Sequence, residues 1–249
     1  MSESRTTGGH PERTEFHDTR AWIRAIASVT GAAGALDTVT GAAGALDTVT
    51  GAAGALEVRD TPTALFLDWL TDAVEAGVVE PHAATLSTVD EAGAPDARFL
   101  LLKDVTDRGF WFSGDTRSPK GVELERDPRA ALTFYWREAG RQVRVRGVVE
   151  NGGEGVSARD FLERSVTARA VATVSRQSEV LADPEEYDRL VAAAVDRIDG
   201  EPDFVSETWR AWCLVPDTVE FWQADPGRRH LRHRYARAAS GWTVDQLWP

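Results

Sequence analysis

Cationic and hydrogen-bonding side chains recur at the ends of apolar runs in this 249-residue chain. Arg98 and Lys103 flank the run Phe99, Leu100, Leu101 and Leu102. Lys120 follows Ser118-Pro119, Gln142 opens an alternating stretch, and Gln177-Ser178 follow Arg176. Further on, Arg228, His230 and Arg232 come just after Trp222-Gln223. Guanidinium forks hold phosphate oxygens in pairs, a lysine adds a point charge, and a helix N-terminus offers free N–H groups. Taken together, the set suits a phosphate-bearing ligand, and Trp222 offers a flat apolar surface beside it. Taken singly, each residue is a surface charge that keeps an acidic protein in solution.

Other chemistries lack their residues. There is no Walker loop, no GxGxxG opening a helix and no GxSxG elbow. His230 and His233 would face opposite sides of a strand, and His10, His17 and His82 have no metal spacing, so no metal site is expected. Cys213 lies in an apolar run and reads as a small core thiol rather than a nucleophile. A lone cysteine and an N-terminus without an apolar leader fit a cytoplasmic protein. A net charge of −12 argues against nucleic acid as a partner, and no apolar run is long enough for a membrane span.

The elements that must position these residues begin near Pro62. Leu65, Trp69, Ala73 and Ala76 recur at helical spacing, with Gly77 as the stop. Residues 84–89 and 97–103 read as a hairpin around Asp90-Gly93, and 110–112 as a short aromatic strand. Ser118-Pro119 predicts a capped helix running to about Asp127. Strands follow at 130–136 and 142–150; in the second, Val143, Val145 and Gly147 alternate with Gln142, Arg144 and Arg146. One helix is expected from Ser157, with Asp160 closing a capping box, and another from Asp183-Pro184 to about Ile198. The rest reads as separate strands at 209–215, 218–223, 232–237 and 242–247. The composition of elements is mainly β (α+β): a small antiparallel barrel with peripheral helices. Residues 1–60 are set apart as a flexible arm, because three near-identical ten-residue copies at 28–37, 38–47 and 48–57 hold too few large apolar side chains for a core.

The same residues, in the same order, resemble the pyridoxamine 5′-phosphate oxidase family over 62–249. The segments that carry the likeness are Thr88-Val-Asp90 with Arg98-Phe-Leu-Leu-Leu-Lys103, Ser118-Pro-Lys-Gly121, and Phe134-Tyr-Trp136 with Arg141-Gln-Val-Arg-Val-Arg-Gly147. Ser175-Arg-Gln-Ser178, Val219-Glu-Phe-Trp-Gln223, Arg228-Arg-His-Leu-Arg232 and the ending from Trp242 to Pro249 complete it. The resemblance implies an FMN-binding split β-barrel homodimer with FMN at the subunit interface. It would place Arg98 and Lys120 on the FMN phosphate, and Phe99, Leu100, Leu101, Leu102 and Lys103 along the flavin. Ser113, Gly114, Gln142, Gln177, Ser178, Trp222 and Arg232 match further FMN contacts. Lys103, Arg164, Arg228 and His230 match substrate contacts, with Arg228 and His230 as the catalytic pair. The implied activity is oxidation of a small aromatic or amine metabolite by dioxygen.

Three departures bear on the substrate. Pro119 stands where family members often carry an arginine. Asp160 and Ala168 stand where the vitamin B6 oxidase uses a tyrosine and a serine to hold the substrate phosphate. A carboxylate repels a phosphate and alanine offers it no hydrogen bond. Ser175-Arg-Gln-Ser-Glu179 is also similar to the phenazine-biosynthesis oxidases. The expectation is therefore a phenazine-type tailoring oxidase, with the vitamin B6 oxidase as the alternative. A non-catalytic flavin- or haem-binding barrel and a deazaflavin-dependent reductase are the remaining rivals.

Overall fold

The structure is a computed structural model that describes residues 18–26 and 56–249. Its centre is one antiparallel sheet built from β1 (Ala83–Val89), β2 (Pro95–Leu101), β3 (Asp104–Thr106), β4 (Gly109–Asp115), β5 (Arg129–Trp136), β6 (Arg141–Asn151) and β7 (Trp209–Gln223). These run β2-β1-β5-β6-β7-β4-β3, and β8 (Leu231–Ala238) and β9 (Gly241–Gln246) extend from the far half of β7. Around it lie α1 (Thr19–Ala25), α2 (Pro62–Glu75), α3 (Pro119–Arg126), α4 (Glu154–Leu162), α5 (Val166–Val174) and α6 (Pro184–Gly200).

The core forms where α2 meets the concave face of the sheet. Helical spacing puts Leu65, Phe66, Trp69, Leu70 and Ala73 on one buried stripe. Phe66 packs against Phe134 at 4.7 Å and edge-on against Phe110 at 5.0 Å. Alternation along β6 buries Val143, Val145 and Gly147, as the period of two demands. Ser118 caps α3 by accepting from the Gly121 N–H, with Pro119 in its first turn.

β7 is one strand where the sequence reads as two. Pro216 has no N–H to give but still sits opposite Gly147; the register shifts between Arg146 and Gly147, so a bulge leaves Asp217 unpaired and pairing resumes at Thr218. Gly147 is required there, because a Cβ would lie 2.0 Å from the Val215 carbonyl oxygen. α4 also departs from expectation. It starts at Glu154 behind Gly153, one turn before Ser157. The Ser157 hydroxyl donates back to the Gly153 carbonyl and accepts from the Ala211 N–H, so Ser157 and Asp160 form no capping box. β3 and α5 are additions; α5 is short, rich in alanine and valine, and capped by Ser165.

Part of the segment set apart as an arm belongs to the folded body. Ile23 of α1 and Leu56 are buried in the main core, and Tyr235 exchanges hydrogen bonds with the Arg59 backbone. The decapeptide repeats, apart from Leu56 and Glu57, lie outside the described residues. Among the described residues no helix is long and apolar enough to cross a membrane. Cys213 is buried, and burial pushes its thiol up to about 12, in keeping with a core role.

Candidate active site

The candidate residues gather into three groups. The first surrounds the N-terminus of α3. Lys120 Nζ donates to Ser118 Oγ at 3.0 Å and to Gln177 Oε1 at 2.5 Å. Burial lowers the Lys120 pKa, and the charge of Arg98 lowers it further, so the two cations share one neighbourhood. Arg98 reaches over from β2 to Thr88 Oγ1 and Asp96, and donates to Glu123 Oε2 at 3.0 Å. Gly114 makes the room: a Cβ there would lie 2.8 Å from Lys120 Cε. Ser178 follows Gln177 with a left-handed φ of 74°. Sequence reading gave Thr88 no role and missed Glu123; the two are thirty-five residues apart and yet bonded to each other.

The second group lies beside Lys103, whose N–H is held by the Trp111 carbonyl at 2.8 Å. Burial lowers the Lys103 pKa to about 8, helped by the charges of Arg24, Arg164 and Arg20 and opposed by Asp160. The Arg164 guanidinium lies 4.3 Å over the Trp209 ring, and burial lowers its pKa as well. It donates to the Ala168 carbonyl at 3.3 Å, while its Nε has no partner. Asp160 is only 1% exposed and accepts from Trp209 Nε1 at 2.9 Å, Arg24 at 3.0 Å and Arg20 at 3.1 Å. Burial works against its ionisation, but the Trp209 indole and the charges of Lys103 and Arg24 hold its carboxyl below the ordinary value. The carboxylate expected to repel a phosphate is thus already met by two guanidinium groups.

The third group lies on the other half of β7. Gln142 pairs across the sheet with Trp222, and Trp222 with Arg232. The His230 ring lies 4.9 Å from that of Trp222, tilted by 44°. Arg228, in the turn before it, has a left-handed φ of 60°, uncommon for a residue with a Cβ. Arg232 is occupied by Glu220 at 2.8 Å and by the Trp248 carbonyl at 3.1 Å. Among the described residues no side-chain hydrogen bond or ion pair joins this group to the first two. Between the groups runs the stretch from Phe99, which is 80% exposed, through half-buried Leu100 and Leu101 to buried Leu102.

Comparison with known proteins settles the lineage. Residues 70–189 match the family description "Pyridoxamine 5′-phosphate oxidase", and residues 209–249 match "Pyridoxine 5′-phosphate oxidase C-terminal dimerisation region". A pyridoxine/pyridoxamine 5′-phosphate oxidase of Thermosynechococcus vestitus is 43% identical over 193 residues, covering 78% of this chain and 91% of the relative. The chain belongs to the pyridoxamine 5′-phosphate oxidase family. A second oxidase of the same description, from Burkholderia thailandensis, is 42% identical over 199 residues, with 78% and 91% of the two chains covered.

Among solved structures, PhzG from Burkholderia lata, in complex with tetrahydrophenazine-1-carboxylic acid, superposes with a TM-score of 0.72. It is 30% identical, over 78% of this chain and 95% of that one. A pyridoxamine 5′-phosphate oxidase-related, FMN binding protein from Nostoc punctiforme shares the fold at a TM-score of 0.62 and 17% identity, over 78% and 100% of the two chains. The split barrel with outer helices is therefore the architecture of this oxidoreductase family.

Proposed function

We propose that this chain is an FMN-dependent oxidase of a small aromatic or amine metabolite, acting as a homodimer. The observation that carries the reading is the meeting of Arg98, Lys120 and Gln177 at the N-terminus of α3, with Gly114 leaving space beside the lysine. Two cations and an amide, beside the positive end of the α3 dipole, form a donor set that fits the phosphate of FMN. Asp96 and Glu123 hold Arg98 at that position and would give way to the stronger charge of a phosphate. When bound, FMN supplies the acceptor for a hydride and returns the electron pair to dioxygen as hydrogen peroxide.

The chain's own groups bind and orient. Lys103 and Arg164 take the anionic group of the substrate. Arg228 and His230, with Gln142, Trp222 and Arg232, complete the opposite wall from the second subunit. Two features support the pairing: the match of residues 209–249 to a dimerisation region, and an apolar face where Phe99 is 80% and Tyr135 62% exposed. Trp222 covers an aromatic ring, and its His230 neighbour presents a hydrogen-bond donor.

Within this activity we favour a phenazine-type tailoring oxidase acting on a carboxylate. Ala168 has no hydroxyl, and Lys103 with Arg164 offers two donor groups, a better match to a carboxylate than to a phosphate. PhzG, solved in complex with a tricyclic carboxylic acid, supports that substrate class. The neutralisation of Asp160 by Arg20 and Arg24 favours a second reading, a pyridoxine/pyridoxamine 5′-phosphate oxidase, because it leaves the pocket cationic.

Purified protein should be yellow, bleach on reduction and recover its colour in air. A colourless preparation that ignores added FMN would refute the entire reading. Oxygen uptake with tetrahydrophenazine-1-carboxylate and with pyridoxamine 5′-phosphate decides between the two substrates. Fast turnover of the second alone selects the vitamin B6 oxidase.

A further inference from the structure

A cluster of four charged side chains, with Arg20 and Asp160 buried at its centre, joins α1 to α4. Arg20 Nη2 donates to Glu163 Oε2 at 2.7 Å and to Asp160 Oδ1 at 3.1 Å. Arg24 reaches the same two carboxylates, Asp160 at 3.0 Å and Glu163 at 3.2 Å. Arg20 is only 8% exposed, and Ile23 between them is fully buried, so α1 is docked by an apolar plug as well as by charge. The residues joined lie about 140 apart in sequence.

What makes this cluster more than a surface clamp is its neighbour. Trp209 joins the cluster to the candidate substrate site: its indole donates to Asp160 at 2.9 Å and its ring lies 4.3 Å from the Arg164 guanidinium, and the Asp160 charge is felt at both Lys103 and Arg164, the two cations assigned to the substrate anion. A buried carboxylate with no other partner would pair with them and occupy their charge. In the fold the Asp160 oxygens are already engaged, Oδ1 by the two α1 arginines and Oδ2 by the Trp209 indole.

We propose that Arg20 and Arg24 are specificity-determining positioning residues: by engaging Asp160 and Glu163 they withhold the Asp160 carboxylate from Lys103 and Arg164, which stay free for an anionic substrate. The segment before the barrel thereby contributes to the active site without touching the flavin. The inference rests on the reading of Lys103 and Arg164 as the substrate-anion site.

The test uses the full-length FMN-loaded protein and two probes, phenazine-1-carboxylate and pyridoxal 5′-phosphate, with binding measured calorimetrically. The double variant Arg20→Gln/Arg24→Gln should bind the preferred probe about tenfold more weakly, the size of one lost charge interaction. Adding Asp160→Asn to that variant should restore the affinity, because the competing carboxylate is gone. A merely structural role for α1 predicts no such rescue, since the third change removes yet another native contact. Loss without rescue, or no loss, overturns the proposal.

A second readout separates it from the functional reading. Competitive acetylation of Lys103 against pH should show its pKa rising in the double variant and falling again in the triple variant. If wild type holds FMN but binds neither probe, the substrate assignment fails, and the Lys103 titration still decides whether α1 withholds Asp160. An unchanged titration in both variants overturns the inference whatever the probes do.

Discussion

The backbone N–H of Asp225 donates to Nδ1 of His230 at 3.1 Å. A nitrogen that accepts cannot carry the proton of a neutral imidazole, so the proton belongs on Nε2. The same residue's carbonyl accepts from the Arg228 N–H at 2.9 Å, and its carboxylate accepts from the Arg229 N–H at 3.0 Å. Asp225 thus organises the turn that carries both candidate catalytic residues. His230 is set to offer a hydrogen bond from Nε2 rather than to accept a proton at Nδ1. Nitrogen-15 spectra of the imidazole at neutral pH should show the Nε2–H tautomer; a protonated Nδ1 would reject the assignment. Replacing His230 by Ala should lower turnover by about a hundredfold while leaving FMN affinity intact.

Lys120→Ala should weaken FMN binding by about ten- to a hundredfold, the range for a lost hydrogen bond to a charged group. Riboflavin, which has no phosphate, supplies the control. Its affinity should be the same in wild type and variant, and an equal loss for both ligands would place Lys120 away from the phosphate. Gly114→Ala should act in the same direction, since the new methyl displaces the lysine side chain.

The depressed Lys103 pKa gives a pH dependence with a definite sign. Binding of an anion requires the protonated amine, which is present below about 8 and lost as pH rises through that value. Substrate affinity should therefore be flat below pH 7 and fall by about tenfold in all as pH rises through 8, the size of one lost charge interaction. Lys103→Met should abolish the inflection. Stability moves the opposite way, because the unfolded chain binds this proton up to the ordinary lysine value of 10.5. Lys103 alone makes the fold more stable between pH 8 and that value, and denaturation midpoints of wild type against Lys103→Met would show it.

Phe99→Glu should yield monomers in sedimentation and a loss of bound FMN. A charge on an exposed apolar face does little to a monomer and much to an interface. A dimer that persists with full FMN content would remove this face from the pairing.

Much of the fold is legible in the residues alone. Ser118-Pro119 marks the α3 cap because serine and proline do one thing well at those positions, and the alternation of β6 names its buried face. Local signals fail where long-range contact decides. Pro216 reads as a break, yet a bulge opposite Gly147 carries the strand through it. Ser157 and Asp160 have capping-box spacing, but the helix begins earlier and spends both side chains on β7. Arg20, Arg24 and Glu123 carry no signal that a sequence could give. Their partners lie far along the chain, and arginines in an acidic protein look like solubilising charge. The sorting of the candidates into three groups likewise follows only from the strand order.

The unbroken run of β7 has a consequence for how this protein can change. Trp209 near its start grips Asp160, and Trp222 near its end carries the His230 wall. Because side chains alternate, adding or deleting one residue between these tryptophans would turn one of them to the wrong side of the sheet. The register shift opposite Gly147, where Asp217 is unpaired, already sets which way the second half of the strand faces. Point substitutions along this strand can drift, but its length cannot, and the distance between the two ends works as a ruler fixed by hydrogen bonds.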